Sequence, residues 1–495
     1  MKGSKVYYRI VTLAIIAFWL TMVGLLVKRT YFKSEGLSPA SIHTDMDEAD
    51  LKVEEEWMGI YMGEDKIGYS VTNIEKQDSI FSVSEKTLIK LNIMGTSQHI
   101  NIHTNSALDE DFSLKTFDFS LQSGVVKFQA NGEVSKDRID ININTAGREI
   151  KKKIPIRTTP YLPGSLKFML TQQELSVGKE FKVPFFDPST MSNDEIKIEV
   201  EAKEKIIING NETLSYRLKE SFKGMVFRAW VDEQGRSLKE ESPLGIVLVR
   251  ESKEDALAKN FSTGSGIDII SSTSVPVTGR IDNPKSIEYL KTRFEGVPLS
   301  DFNMDDERQV LKGDIIEVTK EEVNPDNTVR IPIKEERHKE YLAPSAFVQS
   351  NDTKIVEKAN RIIKDEKDAI KAARIIMEWV YQNIEKRPTI SIPSALEVLD
   401  QKSGDCNEHA VLFTALTRAV GIPTRIITGI VFSEGNFYYH AWAKVFVGKW
   451  ISVDPTMNQF PADATHIGFV EGGLDRQVEM LKVMGHLKAE ILGYR

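Results

Sequence analysis

A chain of 495 residues exceeds what one hydrophobic core can organise, since single cores stop growing at roughly 250 to 300 residues, so two or three folded units are expected. Its 41% hydrophobic and 27% charged residues are ordinary for folded protein and support neither a disordered chain nor a fibrous repeat. A net charge of −8 excludes the broad basic footprint that nucleic acid requires, and a single cysteine, Cys406, excludes any intrachain disulfide.

Ile10 to Val27 contains no charged residue. As a helix this stretch would span about 27 Å, close to the hydrocarbon thickness of a bilayer. Lys28 and Arg29 follow Val27 directly, which argues against a cleaved signal peptide, so residues 1–30 read as an N-terminal transmembrane helix. Lys2, Lys5 and Arg9 before the span nearly balance Lys28, Arg29 and Lys33 after it. Orientation therefore rests on the remainder of the chain lying C-terminal to the span. The expectation is a single pass through the cytoplasmic membrane, contacting the bilayer through residues 10–27, with the bulk on the periplasmic or extracellular side. Residues 31–56 are polar and acidic without apolar periodicity, as suits a tether.

Residues 57–255 repeatedly show the period of two expected of half-buried strands, as in Ile139-Asp-Ile141-Asn-Ile143 and Ile196-Lys-Ile198-Glu-Val200. Asn209-Gly210 supplies a tight hairpin turn after Ile206 to Ile208. The segment reads as a large antiparallel β domain. His99 and His103 share a strand face, but no cysteine or carboxylate cluster accompanies them, so they are expected to be solvated rather than metal ligands. Residues 256–340 mix a Gly/Ser-rich start with short strand signals and read as a small β module.

Near Asn351 the period becomes helical. Ile355, Val356, Ala359, Ile362 and Ile363 form one stripe, and Ala369, Ala373, Ile376, Val380 and Ile384 a second. A third stripe, Ala410, Phe413, Leu416 and Val420, follows Ser403-Gly-Asp-Cys406-Asn-Glu-His409 and closes at Gly421 and Pro423. This puts Cys406 in the first turn of a helix, where unpaired N–H groups and the macrodipole are expected to favour the thiolate. A nucleophilic thiol needs a base, and Tyr438-Tyr-His440-Ala-Trp442-Ala-Lys444 alternates as a strand with His440 and Trp442 on one side. Trp450-Ile-Ser-Val-Asp454 returns with Asp454 on that same side if the hairpin register permits. Direct opposition of His440 and Asp454 would centre the loop on Val447, whereas a two-residue turn at Gly448-Lys449 would pair Ala443 with Asp454. A longer loop or a bulge is therefore expected, or else Asp454 must reach His440 from beyond the strand end.

Gly404-Asp-Cys406-Asn-Glu-His-Ala, Gly421-Ile-Pro-Thr-Arg425, His440-Ala-Trp442 and Trp450-Ile-Ser-Val-Asp454-Pro-Thr456 together resemble the core of the transglutaminase-like superfamily over about residues 340–475. The resemblance implies a papain-like fold, with Cys406 as nucleophile, His440 as general base and acid, and Asp454 orienting the imidazole. Lys444 stands where the family often carries an acidic residue, which bears on the charge beside the site. The Cys406 N–H would be one oxyanion donor, and Gln401 is a candidate for the second. His409 and Arg425 read as structural, Trp379 as core, and His466 receives no role.

The expected fold is α+β: transmembrane helix (1–30), tether (31–56), large antiparallel β domain (57–255), small β module (256–340), C-terminal papain-like transglutaminase core (341–475) and a C-terminal extension (476–495). The expected activity is thiol-dependent acyl transfer on amides, as a peptidase or amidohydrolase acting on a protein or peptide substrate, with no cofactor and no metal. A crosslinking transglutaminase and a non-catalytic envelope binding module are the alternatives. Loss of a triad residue would favour the last, and all three are present.

Overall fold

A computed structural model describes residues 55–495 apart from 94–95, 125, 146–147, 259–267, 325–328, 389–391 and 393. The expected membrane segment, residues 10–27, lies outside the described residues. Among the described residues no helix is long and apolar enough to cross a membrane.

The architecture is mixed α+β and mostly antiparallel β. The first sheet has fourteen described strands between Glu55 and Glu251. Strands pair with their chain neighbours from Glu55–Met62 out to Arg148–Pro155, and from Ile246–Glu251 back to Glu180–Asp187. The halves join where the Trp57 strand lies opposite Glu251. Alternation decides the faces: Ile139, Ile141 and Ile143 are buried, and the residues between them are not. Helix Pro163–Thr171 lays Leu166, Met169 and Leu170 on the buried face. Its Lys167 pairs with Glu56 on that face, and the charges of Glu85 and Glu240 also reach it. Glu220 lies near Glu240 in the same acidic group.

The second sheet has nine described strands, ordered Gln309–Lys312, Ile315–Thr319, Tyr289–Glu295, Lys488–Tyr494, Val275–Thr278, Asn436–Phe446, Thr424–Ser433 and Ile467–Glu471, with Trp450–Val453 pairing with Asn436–Phe446. Strands from residues 275–319 and the C-terminal strand thus share a sheet with the His440 strand. Helices Thr353–Ile363, Ala369–Asn383, Ala395–Gln401 and Cys406–Ala419 pack their apolar sides with Ala441, Ala443 and Val445 of that sheet. Phe294, Ile430, Phe432, Phe437 and Phe469 belong to a separate core. Asp352 and Asp368 cap the first two of these helices through the N–H groups of Lys354 and Lys371.

Candidate active site

Cys406 is the first residue of its helix. The preceding Asp405 caps it by accepting from the Asn407 N–H at 2.8 Å, while Glu408 reaches back to the Asp405 N–H at 3.0 Å. Gly404 makes room for this box, because a Cβ there would sit 2.3 Å from the Cβ of Glu408. The half-buried sulfur accepts the backbone N–H of Ala441, next in chain to His440. That contact is possible because the Trp450–Val453 strand pairs only as far as Ala443, leaving the edge of the His440 strand open beyond it.

The expectation that the helix start favours the thiolate is corrected. Burial pushes the Cys406 thiol well up, the Asp405 carboxyl adds to this, and Glu408 and Asp454 act the same way against the Ala441 N–H. Burial is the largest cause, and the carboxyls of the helix's own cap act with it rather than against it. Asp405 is itself pushed up by burial and by Glu408.

The hairpin register pairs Ala443 with Val453 and Phe446 with Trp450, leaving Val447, Gly448 and Lys449 as the loop. Gly448 has φ +98° and the Val447 N–H bonds Lys449 O. This is neither of the two registers weighed from sequence. Asp454 lies one residue past the strand end, in a bridge with Gln459, and reaches back to His440. Its Oδ2 meets His440 Nε2 at 2.8 Å, while its Oδ1 accepts the N–H groups of Thr456 and Met457 at 2.7 and 2.9 Å. Burial alone would raise the Asp454 carboxyl, but His440 and His466 hold it well below the usual carboxylate range. With Nε2–H given to Asp454, the imidazole has Nδ1 free to take a proton.

His466, assigned no role from sequence, is the residue that sequence reasoning missed. It is fully buried, and its Nε2 lies 3.0 Å from the same Asp454 Oδ2, its Nδ1 3.2 Å from Asp463 Oδ1. Trp442 flanks both rings, near-parallel to His440 at 6.2 Å and edge-on to His466 at 5.3 Å. His440, Asp454 and His466 offer three donor atoms within 4.8 Å of one another. The 2.8 and 3.0 Å separations are hydrogen-bond lengths with both rings aimed at one oxygen, so the group reads as a hydrogen-bonded row rather than as ligands aimed at a common centre.

Gln401 ends helix Ala395–Gln401, and its side-chain amide donates to Glu397 Oε1 at 3.0 Å, which turns that nitrogen away from the role of oxyanion donor. Near the sulfur, the Tyr439 hydroxyl bonds Asn407 Oδ1 at 3.4 Å. The charge of buried Lys444 is met by Asp306 from the segment before the Gln309 strand, so the departure from the family's pattern is neutralised in place. Arg425 pairs with Glu471 at 2.7 Å, Trp379 packs on the helical core, and His409 Nδ1 bonds Asp405 O at 2.6 Å. Of the strand-face pair, His99 is exposed and His103 lies 3.5 Å from Ser84 Oγ.

Residues 356–455 match the family profile of the transglutaminase-like superfamily. This segment is a transglutaminase-like core. It coincides with the stretch that runs from the first helix of the domain through Cys406 and His440 to Asp454. An uncharacterized protein of Mycobacterium leprae (strain TN) is 28% identical over 131 residues, which is 24% of this chain and 46% of that protein, so the chain spans about half the length of the curated relative it matches. Among solved structures, a candidate cysteine protease from Cytophaga hutchinsonii is 18% identical with a TM-score of 0.28, over 42% of this chain and 86% of the other. A β-barrel-like protein of unknown function from Brucella abortus is 9% identical with a TM-score of 0.32, over 40% of this chain and 95% of the other. At such scores neither structure carries an argument here.

Proposed function

We propose that the transglutaminase-like core performs acyl transfer on amides through Cys406, His440 and Asp454, acting as a peptidase or amidohydrolase on a protein or peptide substrate in the cell envelope. The observation that carries this reading is the 2.8 Å bond between His440 Nε2 and Asp454 Oδ2, which leaves Nδ1 as the basic nitrogen, while the sulfur accepts the N–H of Ala441, the residue after His440. Because burial and the Asp405 carboxyl push the thiol up, the sulfur rests as a neutral thiol. The proton then passes from Sγ to Nδ1 as the sulfur attacks the amide carbon.

The oxyanion that forms is stabilised by the N–H of Cys406 at the helix start. Collapse expels the amine, which takes the proton from Nδ1 and leaves a thioester. Water, deprotonated by Nδ1, attacks the thioester carbon, and the departing sulfur recovers the proton as the acid is released. A lysine amine in place of water would crosslink instead. Hydrolysis is preferred because a membrane-tethered architecture implies no evident crosslinking partner. Residues 10–27 would hold the enzyme at the cytoplasmic membrane with its bulk on the periplasmic or extracellular side.

The test is mass spectrometry of a glutamine-containing peptide pool incubated with the full chain. A cut backbone supports a peptidase, a gain of about one mass unit an amidohydrolase, and a lysine adduct a crosslinking enzyme. Products that persist undiminished in Cys406→Ala sink the proposal. Membrane retention that is lost on deleting residues 1–30 supports the anchor, and unchanged retention opposes it.

A further inference from the structure

We propose that His466 is a positioning residue of this site: a buried imidazolium, held by Asp463, that fixes Asp454 so that its Oδ2 faces His440. The inference rests on the reading of Cys406, His440 and Asp454 given above and adds a fourth member behind them. Both nitrogens of His466 face carboxylates, Nε2 toward Asp454 Oδ2 at 3.0 Å and Nδ1 toward Asp463 Oδ1 at 3.2 Å. A carboxylate only accepts, so each contact requires an N–H, and a ring with two N–H groups carries a positive charge.

Asp463 is built to hold that charge. The backbone N–H and hydroxyl of Thr465 donate to its Oδ1 at 2.8 and 2.6 Å, and Gln459 donates to its Oδ2 at 2.8 Å. Arg308 donates to the Asp463 carbonyl at 2.7 Å, and its own charge is met by Glu321 at 3.1 Å. The groups facing His466 are therefore Asp454, Asp463 and, 5.8 Å away ring to ring, His440, with the indole of Trp442 closing the remaining side. Burial alone would lower the affinity of His466 for its second proton, but the two carboxylates reverse this and push it up to about 9.

Two consequences follow for the reaction. Asp454 is held from both sides, so it cannot rotate away as His440 gains and loses its proton. The positive charge behind Asp454 also offsets part of the negative charge that this carboxylate presents to His440.

The experiment uses the full chain in three forms, with turnover measured against pH. His466→Ala is expected to lower kcat about tenfold with KM within about twofold, and to move the acid limb of kcat/KM up by about one pH unit. His466→Gln, which can still donate to Asp454 but carries no charge, is expected to recover most of kcat while keeping the displaced limb. A folded His466→Ala protein with an unmoved limb, or losses that merely track its unfolded fraction, overturns the inference.

A second measurement needs no turnover. In nitrogen-15 histidine-labelled Cys406→Ala, the His466 ring is expected to keep both N–H protons at pH 8, and a ring with a single N–H at pH 7 overturns the inference. Full turnover in Cys406→Ala would instead sink the thiol reading and leave this spectroscopic result to stand or fall alone.

Discussion

Asp454 meets His440 from one residue past the end of its own strand, with Oδ2 to Nε2 at 2.8 Å, and is held there by the Thr456 and Met457 N–H groups on its other oxygen. A carboxylate fixed by backbone donors selects one imidazole tautomer. Asp454→Asn keeps the size of the side chain but can offer its amide N–H to Nε2, which favours the opposite tautomer and removes the base from the sulfur. The expected loss in kcat is roughly a thousandfold or more, by analogy with the same exchange in other triads. Single-turnover kinetics on a folded variant checks it, and a loss below about tenfold argues against a tautomer-fixing role for Asp454.

The cap of the Cys406 helix restrains the thiol. Burial pushes the Cys406 thiol up, and the carboxyls of Asp405 and Glu408 push it further in the same direction. Asp405→Asn retains a good helix-capping side chain while removing a charge, so stability should change by less than about 1 kcal/mol. The rate of Cys406 alkylation at pH 7.5 is expected to rise several-fold, because a larger fraction of the thiol is ionised. Alkylation rates plotted against pH give the comparison directly, and coincident curves for both proteins rule the account out.

What sequence made legible was local. Helix Cys406–Ala419 follows from its apolar stripe and its capping residues, and the His440 strand from its alternation. The raised thiol runs against the expectation drawn from the helix start, because burial and the carboxyls of the Asp405-Cys-Asn-Glu408 capping box act on the sulfur together. The hairpin register was not legible, because a three-residue loop with Gly448 at positive φ differs by one residue from the commoner two-residue turn. His466 was missed because it reaches Asp454 through the irregular stretch from Pro455 to Thr465, which has no period to read. The parallel pairing of Val277 with Ala489 is equally invisible, since it joins residues more than two hundred positions apart without any local mark.

His466 also makes stability depend on pH. Its second proton is bound more tightly in the folded chain, up to about 9, than in the unfolded chain near the ordinary value of about 6.5. A raised value of this kind contributes stability that is fully present below about pH 6.5 and lost as pH rises through about 9. The difference in unfolding free energy between pH 6 and pH 9.5 should shrink in His466→Gln by roughly 2 to 3 kcal/mol. Urea titrations at the two pH values measure it, and an undiminished difference would show that His466 is neutral in the folded chain.

Glu220 makes a second contribution in the first sheet. Burial, then the neighbouring Glu240, pushes its carboxyl up to about 7. A carboxyl with a raised folded value binds its proton better folded than unfolded, so its contribution is greatest below about pH 4.5 and is lost as pH rises toward 7, where the charged form must be accommodated. Glu220→Gln removes the ionisation while keeping the shape. Because the side chain retains some access to solvent, the gain at pH 8 should be roughly 1 to 2 kcal/mol after screening, with little difference at pH 4.5. If Glu220→Gln instead destabilises the chain equally at both pH values, the carboxylate is making a contact worth more than its burial costs, and this account of the acidic face is wrong.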